Sequence, residues 1–254
     1  MMFKKSLAGA AVAMALVAWG TAAHADASFS EGFNGVTVPS GWVTTNLSTR
    51  ASTGNLWSVG PGITDANSNI VVAPFEGDGM AIVNYTSVGS GTGTINNWLI
   101  SPLITGMQNG DTFSFYTTTT PASAYPDRME FRLSTSGSST TVGTTTTSVG
   151  VFTTTLLSIN PTLLALPTVG AYPDTWTQYT VTLSGLAGPT DGRVAFRYFV
   201  TSGGPTGANS NIIAVDAFNY TSVSAVPEAA TWAMMFAGVG ALGLVRRRRD
   251  SAQA

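Results

Sequence analysis

The side chains that most often carry covalent or acid-base chemistry are nearly absent from this sequence. The single histidine is His24, the lysines are Lys4 and Lys5, and there is no cysteine. If the first 25 residues are removed on export, a Ser/His/Asp triad, a Cys/His pair, a Schiff-base lysine and a His or Cys zinc site are all excluded from what remains. Carboxylate chemistry survives. Glu76 with Asp78, or Asp127 with Glu130, could in principle supply the raised and the ionised acid of glycosidic cleavage. Both pairs have simpler readings. Glu76-Gly77-Asp78-Gly79 is a polar turn ahead of a strand at Met80, and Glu130 alternates with Arg128 and Arg132 on the polar side of another.

A hard cation is a better use for acids in a domain without imidazole or thiolate, because Ca2+ takes carboxylate and carbonyl oxygens. Glu31 and Asp216 fall on the first and last strands. Pairing of those strands would bring two mutually repelling carboxylates together, and a Ca2+ ion held by Glu31, Asp216 and Asn34 would relieve the repulsion. Binding by aromatic stacking is the other available chemistry. Of the domain's tryptophans, Trp42 and Trp98 are expected in the core. Trp57, near Gly60-Pro61-Gly62, and Trp176, after Pro173-Asp174, are expected at strand edges, as candidates for ligand contact.

The elements that must position these groups are strands. Period-two alternation recurs between Gly, Pro, Asn and Ser clusters, predicting eleven or twelve strands. The clear ones cover 41–46, 80–86, 98–103, 112–118, 128–135, 175–183, 193–201 and 211–221. In 128–135, Met129, Phe131 and Leu133 alternate with Arg128, Glu130 and Arg132, as in a strand with one buried face. The Ser/Thr/Gly-rich segment 134–155 predicts a long hairpin or a mobile loop and a poor core, and Leu163, Leu164 and Leu166 between prolines suggest one helical turn. Asn84-Tyr85-Thr86-Ser87-Val88 recurs as Asn219-Tyr220-Thr221-Ser222-Val223, but the flanks differ and no repeat is inferred. The fold expectation is all-β: a jelly-roll-like β-sandwich, flanked by an N-terminal signal-peptide helix and a C-terminal transmembrane helix.

Those flanks set the topology. Residues 1–25 combine Lys4 and Lys5, an apolar run from Leu7 to Trp19, and Ala23-His24-Ala25, the order of a secretory signal cleaved after Ala25. Ala229 to Val245 carries no charge and precedes Arg246, Arg247, Arg248 and Arg249. As a helix it would be roughly 25 Å long, near the lower limit for a bilayer, with the arginines stopping it on the cytoplasmic side. The stretch between, Asp26 to Pro227, holds eleven acids and five arginines, a formal charge of −6 that argues against nucleic acid as a partner.

The tail from Val226, Pro227, Glu228 and Ala229 through the Gly-rich apolar helix to the arginines resembles the PEP-CTERM sorting signal, with Ala229 where that family has a second proline. The resemblance implies handling by an exosortase in an exopolysaccharide-producing Gram-negative bacterium. Phe29-Ser30-Glu31-Gly32-Phe33-Asn34, Pro39-Ser40-Gly41-Trp42, Asn97-Trp98-Leu99-Ile100-Ser101-Pro102, Asp111-Thr112-Phe113-Ser114-Phe115 and Ile213-Ala214-Val215-Asp216 follow one another through the domain. In that order they resemble the choice-of-anchor J type of adhesin jelly roll, related to cleaved-adhesin domains. That similarity implies adhesion or carbohydrate contact without a reaction.

The expected organisation is therefore a signal peptide at 1–25, a β-sandwich at 26–224, and a sorting signal at 225–250 containing a transmembrane helix at 229–245. The expected role is a non-catalytic, exported protein of adhesion or of the exopolysaccharide and biofilm matrix. Its partners would be the Sec translocon, signal peptidase, an exosortase and exopolysaccharide, and its precursor would be anchored in the inner membrane. Its destination would be the periplasm, cell surface or extracellular matrix. A carboxylate-dependent glycoside hydrolase or polysaccharide lyase, and a purely structural envelope protein, are the alternatives.

Overall fold

The computed structural model describes residues 28–223, so the signal peptide, the sorting residues Val226 to Ala229, the predicted membrane helix and Arg246 to Arg249 lie outside the described residues. Within them no helix is long and apolar enough to cross a membrane. In chain order the strands are β1 (Phe29–Glu31), β2 (Val43–Asn46), β3 (Ser58–Gly60), β4 (Ile63–Thr64), β5 (Ile70–Val72), β6 (Met80–Asn84) and β7 (Gly93–Ile100). They continue as β8 (Ile104–Met107), β9 (Thr112–Thr119), β10 (Met129–Ser134), β11 (Thr154–Ile159), β12 (Thr177–Thr182), β13 (Thr190–Gly203) and β14 (Ile212–Thr221).

Two six-stranded sheets form the sandwich. Sheet A runs β12-β9-β14-β6-β3 with β1 added beside β14, and sheet B runs β11-β10-β13-β7-β2 with β8 beside β13. The period-two pattern decides which side chains meet between them. Phe113 and Phe115 from β9, Phe131 from β10, Phe196 and Tyr198 from β13, and Phe218 and Tyr220 from β14 are all buried in one core. Their rings interlock, with Phe115 edge-on to Phe196 at 4.9 Å and Phe131 at 5.0 Å from the same ring. Burying each such side chain contributes about 1.5–3 kcal/mol, which a sandwich without disulfides depends on.

β14 changes partners halfway along. Ile212 to Val215 pair with β6, whereas Phe218 to Tyr220 pair with β1, so the first and last strands are neighbours. Its register against β9 shifts between Asp216 and Asn219, and Ala217 between them has φ 50°. An extra residue in one strand re-aims the side chains beside it. Asp216 stands at that irregularity.

Three features depart from the sequence expectation. Strand β6 stops at Asn84, whose side chain caps a single 3-10 turn at Tyr85–Ser87 by accepting from the Thr86 N–H. No helix forms around Leu163, Leu164 and Leu166; Asn160 turns the chain there by accepting from the Leu164 N–H at 2.7 Å. The largest departure is 134–155, which is neither a plain hairpin nor a poor core. Val142 and Phe152 are buried against Trp98, Ile100 and Ala195 on the outer side of sheet B, with Val149 and Val151 beside them. Four apolar side chains spaced through a polar segment seat it on the sheet. Its irregular backbone is satisfied by arginines: Arg132 Nε donates to the Phe152 carbonyl at 2.8 Å, and Arg197 Nη2 to that of Thr147 at 3.1 Å.

Candidate functional site

The outer side of sheet A is covered over only part of its width. The short β4–β5 hairpin places Ile63 and Val72 against Met80 and Ala214, with Trp176 packed at the edge of that cluster. Beyond this cover the strands β12, β9 and β14 turn a polar surface outward. Their registers align Gln178 with Tyr116 and Asp216, Thr180 with Ser114 and Asn219, and Thr182 with Thr112 and Thr221. Apart from Tyr116 and Asp216, these are hydroxyl and amide side chains.

An aromatic shelf stands where the covered and open halves meet. Phe75, in the loop before β6, stacks on Tyr116 with ring centroids 3.6 Å apart and planes inclined at 15°, and Trp176 meets Phe75 edge-on at 6.1 Å. The Trp176 indole N–H donates to the Ala73 carbonyl at 3.0 Å, leaving the ring half-buried. Phe75 is 41% exposed. Aromatic faces held in one place beside hydroxyl and amide groups are suited to sugar rings, whose C–H faces stack while their hydroxyls find polar partners.

Asp216 holds the shelf in place. Its Oδ2 accepts from the Phe75 N–H at 2.8 Å and the Glu76 N–H at 3.2 Å, while Oδ1 accepts from the Ala217 N–H at 2.7 Å. Burial pushes this carboxyl above the usual aspartate range, and the neighbouring Glu76 pushes the same way. On the other side of the loop, Asn34 Oδ1 accepts from the Asp78 N–H at 3.0 Å and Asp78 Oδ1 from the Gly35 N–H at 2.9 Å. Gly77, at φ 64°, makes room for this contact, since a Cβ there would stand 1.8 Å from Asn34 Oδ1.

The proposed Ca2+ ligands are thus brought near one another but not onto one point. Glu31 lies opposite Phe218, two residues from Asp216, and its Oε1 accepts from the Phe33 N–H at 2.8 Å. Asn34 faces the Gly77-Asp78 turn. Among the described residues no three His, Cys, Asp or Glu side chains gather as a metal cluster. Glu76 and Asp216 face one another closely enough for their charges to repel.

The acids considered for catalysis are placed differently. Asp127 is 1% exposed, accepting from Tyr198 Oη, the Asn211 N–H at 2.8 Å and Thr119 Oγ1 at 2.8 Å; burial raises its carboxyl to about 6 against these donors. Glu130 accepts from Arg132 at 2.7 Å and Arg197 at 2.9 Å. Burial alone would push Glu130 up, but the two guanidiniums outweigh it and hold its carboxyl below the usual range. Both acids are engaged in holding the fold. Glu76 and Asp78 remain in the surface loop that carries Phe75.

Trp57 corrects an expectation. Rather than lying at the surface it is 2% exposed, and its indole N–H donates across the sandwich to the Asn97 carbonyl at 3.3 Å. Preceding a short edge strand, it turns inward to fill the gap between sheets. Trp42 and Trp98 are buried as expected. Phe75 and Tyr116 were not singled out from the sequence. Tyr116 had a signal, since Phe113 and Phe115 occupy the inward positions of β9 and alternation sends Tyr116 outward; Phe75 had only its place as an apolar residue between Pro74 and a polar turn.

Residues 225–249 match the PEP-CTERM protein-sorting motif. The motif implies that the protein is exported toward the cell envelope, processed by an exosortase, and anchored in the membrane as a precursor. No curated protein matches the sequence. Among solved structures, the K3 cleaved adhesin domain of Lys-gingipain from Porphyromonas gingivalis W83 is similar at 22% identity, covering 78% of this chain and 99% of that one, with TM-score 0.51. The K1 cleaved adhesin domain of the same protein has 24% identity, the same coverage and TM-score 0.49. The CBM22-1 xylan-binding domain of Xyn10C from Paenibacillus barcinonensis has 14% identity, covers 78% and 95%, and has TM-score 0.42. The likeness to K3 shows a shared jelly-roll-like sandwich fold.

Proposed function

We propose that this is a non-catalytic protein of the cell surface or biofilm matrix of a Gram-negative bacterium, contacting exopolysaccharide through the open face of sheet A. The observation that carries the reading is the shelf of Phe75, Tyr116 and Trp176 beside rows of Thr, Ser, Asn and Gln on an exported domain. Polymer binding suits a flat face better than a reaction does, because the buried acids Asp127 and Glu130 are committed to internal partners. Affinity electrophoresis of the secreted protein in gels containing the producing strain's exopolysaccharide tests this. Retardation that falls about tenfold in Trp176→Ala, from loss of an aromatic contact, supports the reading; equal mobility with and without polymer refutes it.

A Ca2+ ion bound near Glu31, Asn34, Glu76 and Asp216 belongs to the same proposal. It would neutralise the acidic loop that presents Phe75 and thereby stiffen the shelf. With Ca2+ at about 100 times its Kd the melting midpoint should reflect roughly 2.7 kcal/mol of added stability. A midpoint unchanged between saturating Ca2+ and excess EDTA rejects the ion.

A further inference from the structure

A concave site lies at one end of the sandwich, away from the flat face that carries the shelf. It is a cavity of about 380 Å³ where three connections meet: the turn after β6, the β9–β10 loop and the β13–β14 hairpin. The volume falls in the lower part of the ~300–1,000 Å³ span typical of small-ligand sites. Asn211 on its wall, the residue just before β14, and Asp216 at the shelf are five residues apart, about 17 Å along an extended chain. One ligand ring cannot occupy both.

Its walls carry two tyrosines that the fold leaves outside. Tyr85 is 39% and Tyr125 51% exposed, and neither hydroxyl has a hydrogen-bond partner among the described residues. Between them the polar wall is fixed from behind. The Asn211 N–H donates to Asp127 Oδ1 at 2.8 Å, its Nδ2 to Thr120 Oγ1 at 2.6 Å and Ser123 Oγ at 3.0 Å, and its carbonyl accepts from the Tyr85 N–H at 2.8 Å. These contacts spend the amide's donors and leave Oδ1 without a partner among the described residues. Ser210, 4% exposed, accepts from the Gly204 N–H at 3.0 Å and so sets the hairpin. Gly204 adopts φ 102°, and a Cβ there would stand 2.5 Å from the Gly91 carbonyl, so at that point the wall, shared with Pro205 and Thr206, presents backbone only. No charged side chain lines the cavity.

These features select a class of ligand. Two exposed phenol rings favour a ligand with an apolar face, and a pre-oriented acceptor beside two available hydroxyls favours one with several hydroxyls. The uncharged lining offers an anion no counter-charge. We propose that the cavity binds one neutral pyranose ring of a glycan, with Tyr85 and Tyr125 against its C–H surfaces and Asn211 Oδ1 accepting from a ring hydroxyl. The site is separate from the shelf and would give the protein a second point of attachment to a polysaccharide. Two weak contacts on one rigid domain then act together, raising avidity without requiring tight binding at either.

Saturation-transfer NMR and calorimetry on the secreted protein test this with methyl glycosides of glucose, galactose, mannose and N-acetylglucosamine, and with methyl glucuronide as the acidic probe. The expected result is binding of at least one neutral glycoside at a Kd on the order of 1 mM, with methyl glucuronide at least about tenfold weaker. Tyr125→Ala and Asn211→Ala should each weaken that binding about tenfold, while Tyr125→Phe keeps the ring and most of the affinity. Trp176→Ala should leave it unchanged. Because Tyr125 is exposed, its variants keep the fold, which the thermal midpoint verifies. Absence of binding by all four neutral glycosides, or binding insensitive to Tyr125→Ala, overturns the proposal. Loss of the monosaccharide signal with retention of polymer binding removes this site alone. Loss of polymer binding with intact glycoside binding removes the shelf alone.

Discussion

Replacing Glu130 by glutamine should destabilise the protein far more than loss of an ordinary strand-surface acid. Glu130 Oε2 is the shared acceptor of Arg132 and Arg197. Arg197 is 2% exposed, its Nε donates to Asn96 Oδ1 at 2.8 Å, and its guanidinium stacks 3.7 Å over the Phe199 ring. Burial lowers the Arg197 guanidinium to about 10 even though Glu130 opposes the change; that shift corresponds to a charging cost of about 3 kcal/mol. Glutamine keeps one hydrogen bond but removes the only negative charge paired with either arginine among the described residues. Breaking a buried pair in this way costs about 3–5 kcal/mol, and the residual contacts to Thr147 and Asn96 place the expected loss at about 3 kcal/mol. Urea denaturation at pH 7, followed by tryptophan fluorescence, reads this directly. Hydrogen exchange should show loss of protection in 141–152, whose carbonyls these arginines hold. The deficit should be nearly the same at 0.1 and 1 M NaCl, because salt screens exposed pairs more strongly than buried ones. A loss under about 1 kcal/mol with unchanged exchange would mean that the ion pairs are ordinary surface contacts and that the segment is held by Val142 and Phe152 alone.

Further expectations follow from the other buried acids. Asp127 is raised from 3.8 to about 6 by burial, so its contribution to stability is complete below about pH 4 and declines as pH rises through about 6, by roughly 3 kcal/mol in all. Urea midpoints across that window should slope accordingly, and Asp127→Asn should flatten the slope; an identical slope in the variant assigns it elsewhere. Asp216→Ala should speed amide exchange at Phe75 and Glu76 and reduce polysaccharide affinity, whereas Asp216→Asn, with one acceptor oxygen in place of two, should keep the Phe75 and Glu76 contacts at the expense of the one to Ala217 and lose less of both; equal exchange in Asp216→Ala and wild type would show that the loop is held without it. Incubation with exopolysaccharide should leave polymer chain length unchanged, and reducing ends that accumulate with wild type but not Glu76→Gln or Asp78→Asn would replace the binding role with a hydrolytic one.

Legibility differed sharply between residues. The alternation of Met129, Phe131 and Leu133 against Arg128, Glu130 and Arg132 marks a strand and its inner face, and all three apolar residues are buried. The same alternation could not reveal that Arg132 and Glu130 lie under a second layer, because that layer is seated by scattered Val142, Val149, Val151 and Phe152 with no period of its own. Local sequence was also insufficient for Asn-Tyr-Thr-Ser-Val. At 84–88 the asparagine caps a 3-10 turn and Tyr85 is 39% exposed, while Tyr220 in the second copy is a core residue of β14. Strand pairing, absent from the five residues themselves, decides between the two. The pairing of β1 with β14 placed Glu31 near Asp216 as the sequence suggested, but the role of Asp216 as acceptor for the Phe75 loop depends on the irregularity at Ala217. Long-range register of that kind leaves no pattern in sequence.

Intact-mass measurement of the protein recovered from the culture medium tests the export and sorting on which any surface role depends. A species beginning at Asp26 and lacking Arg246 to Arg249 is the predicted result. A full-length chain, uncut at either end and confined to the cytosol, would contradict it.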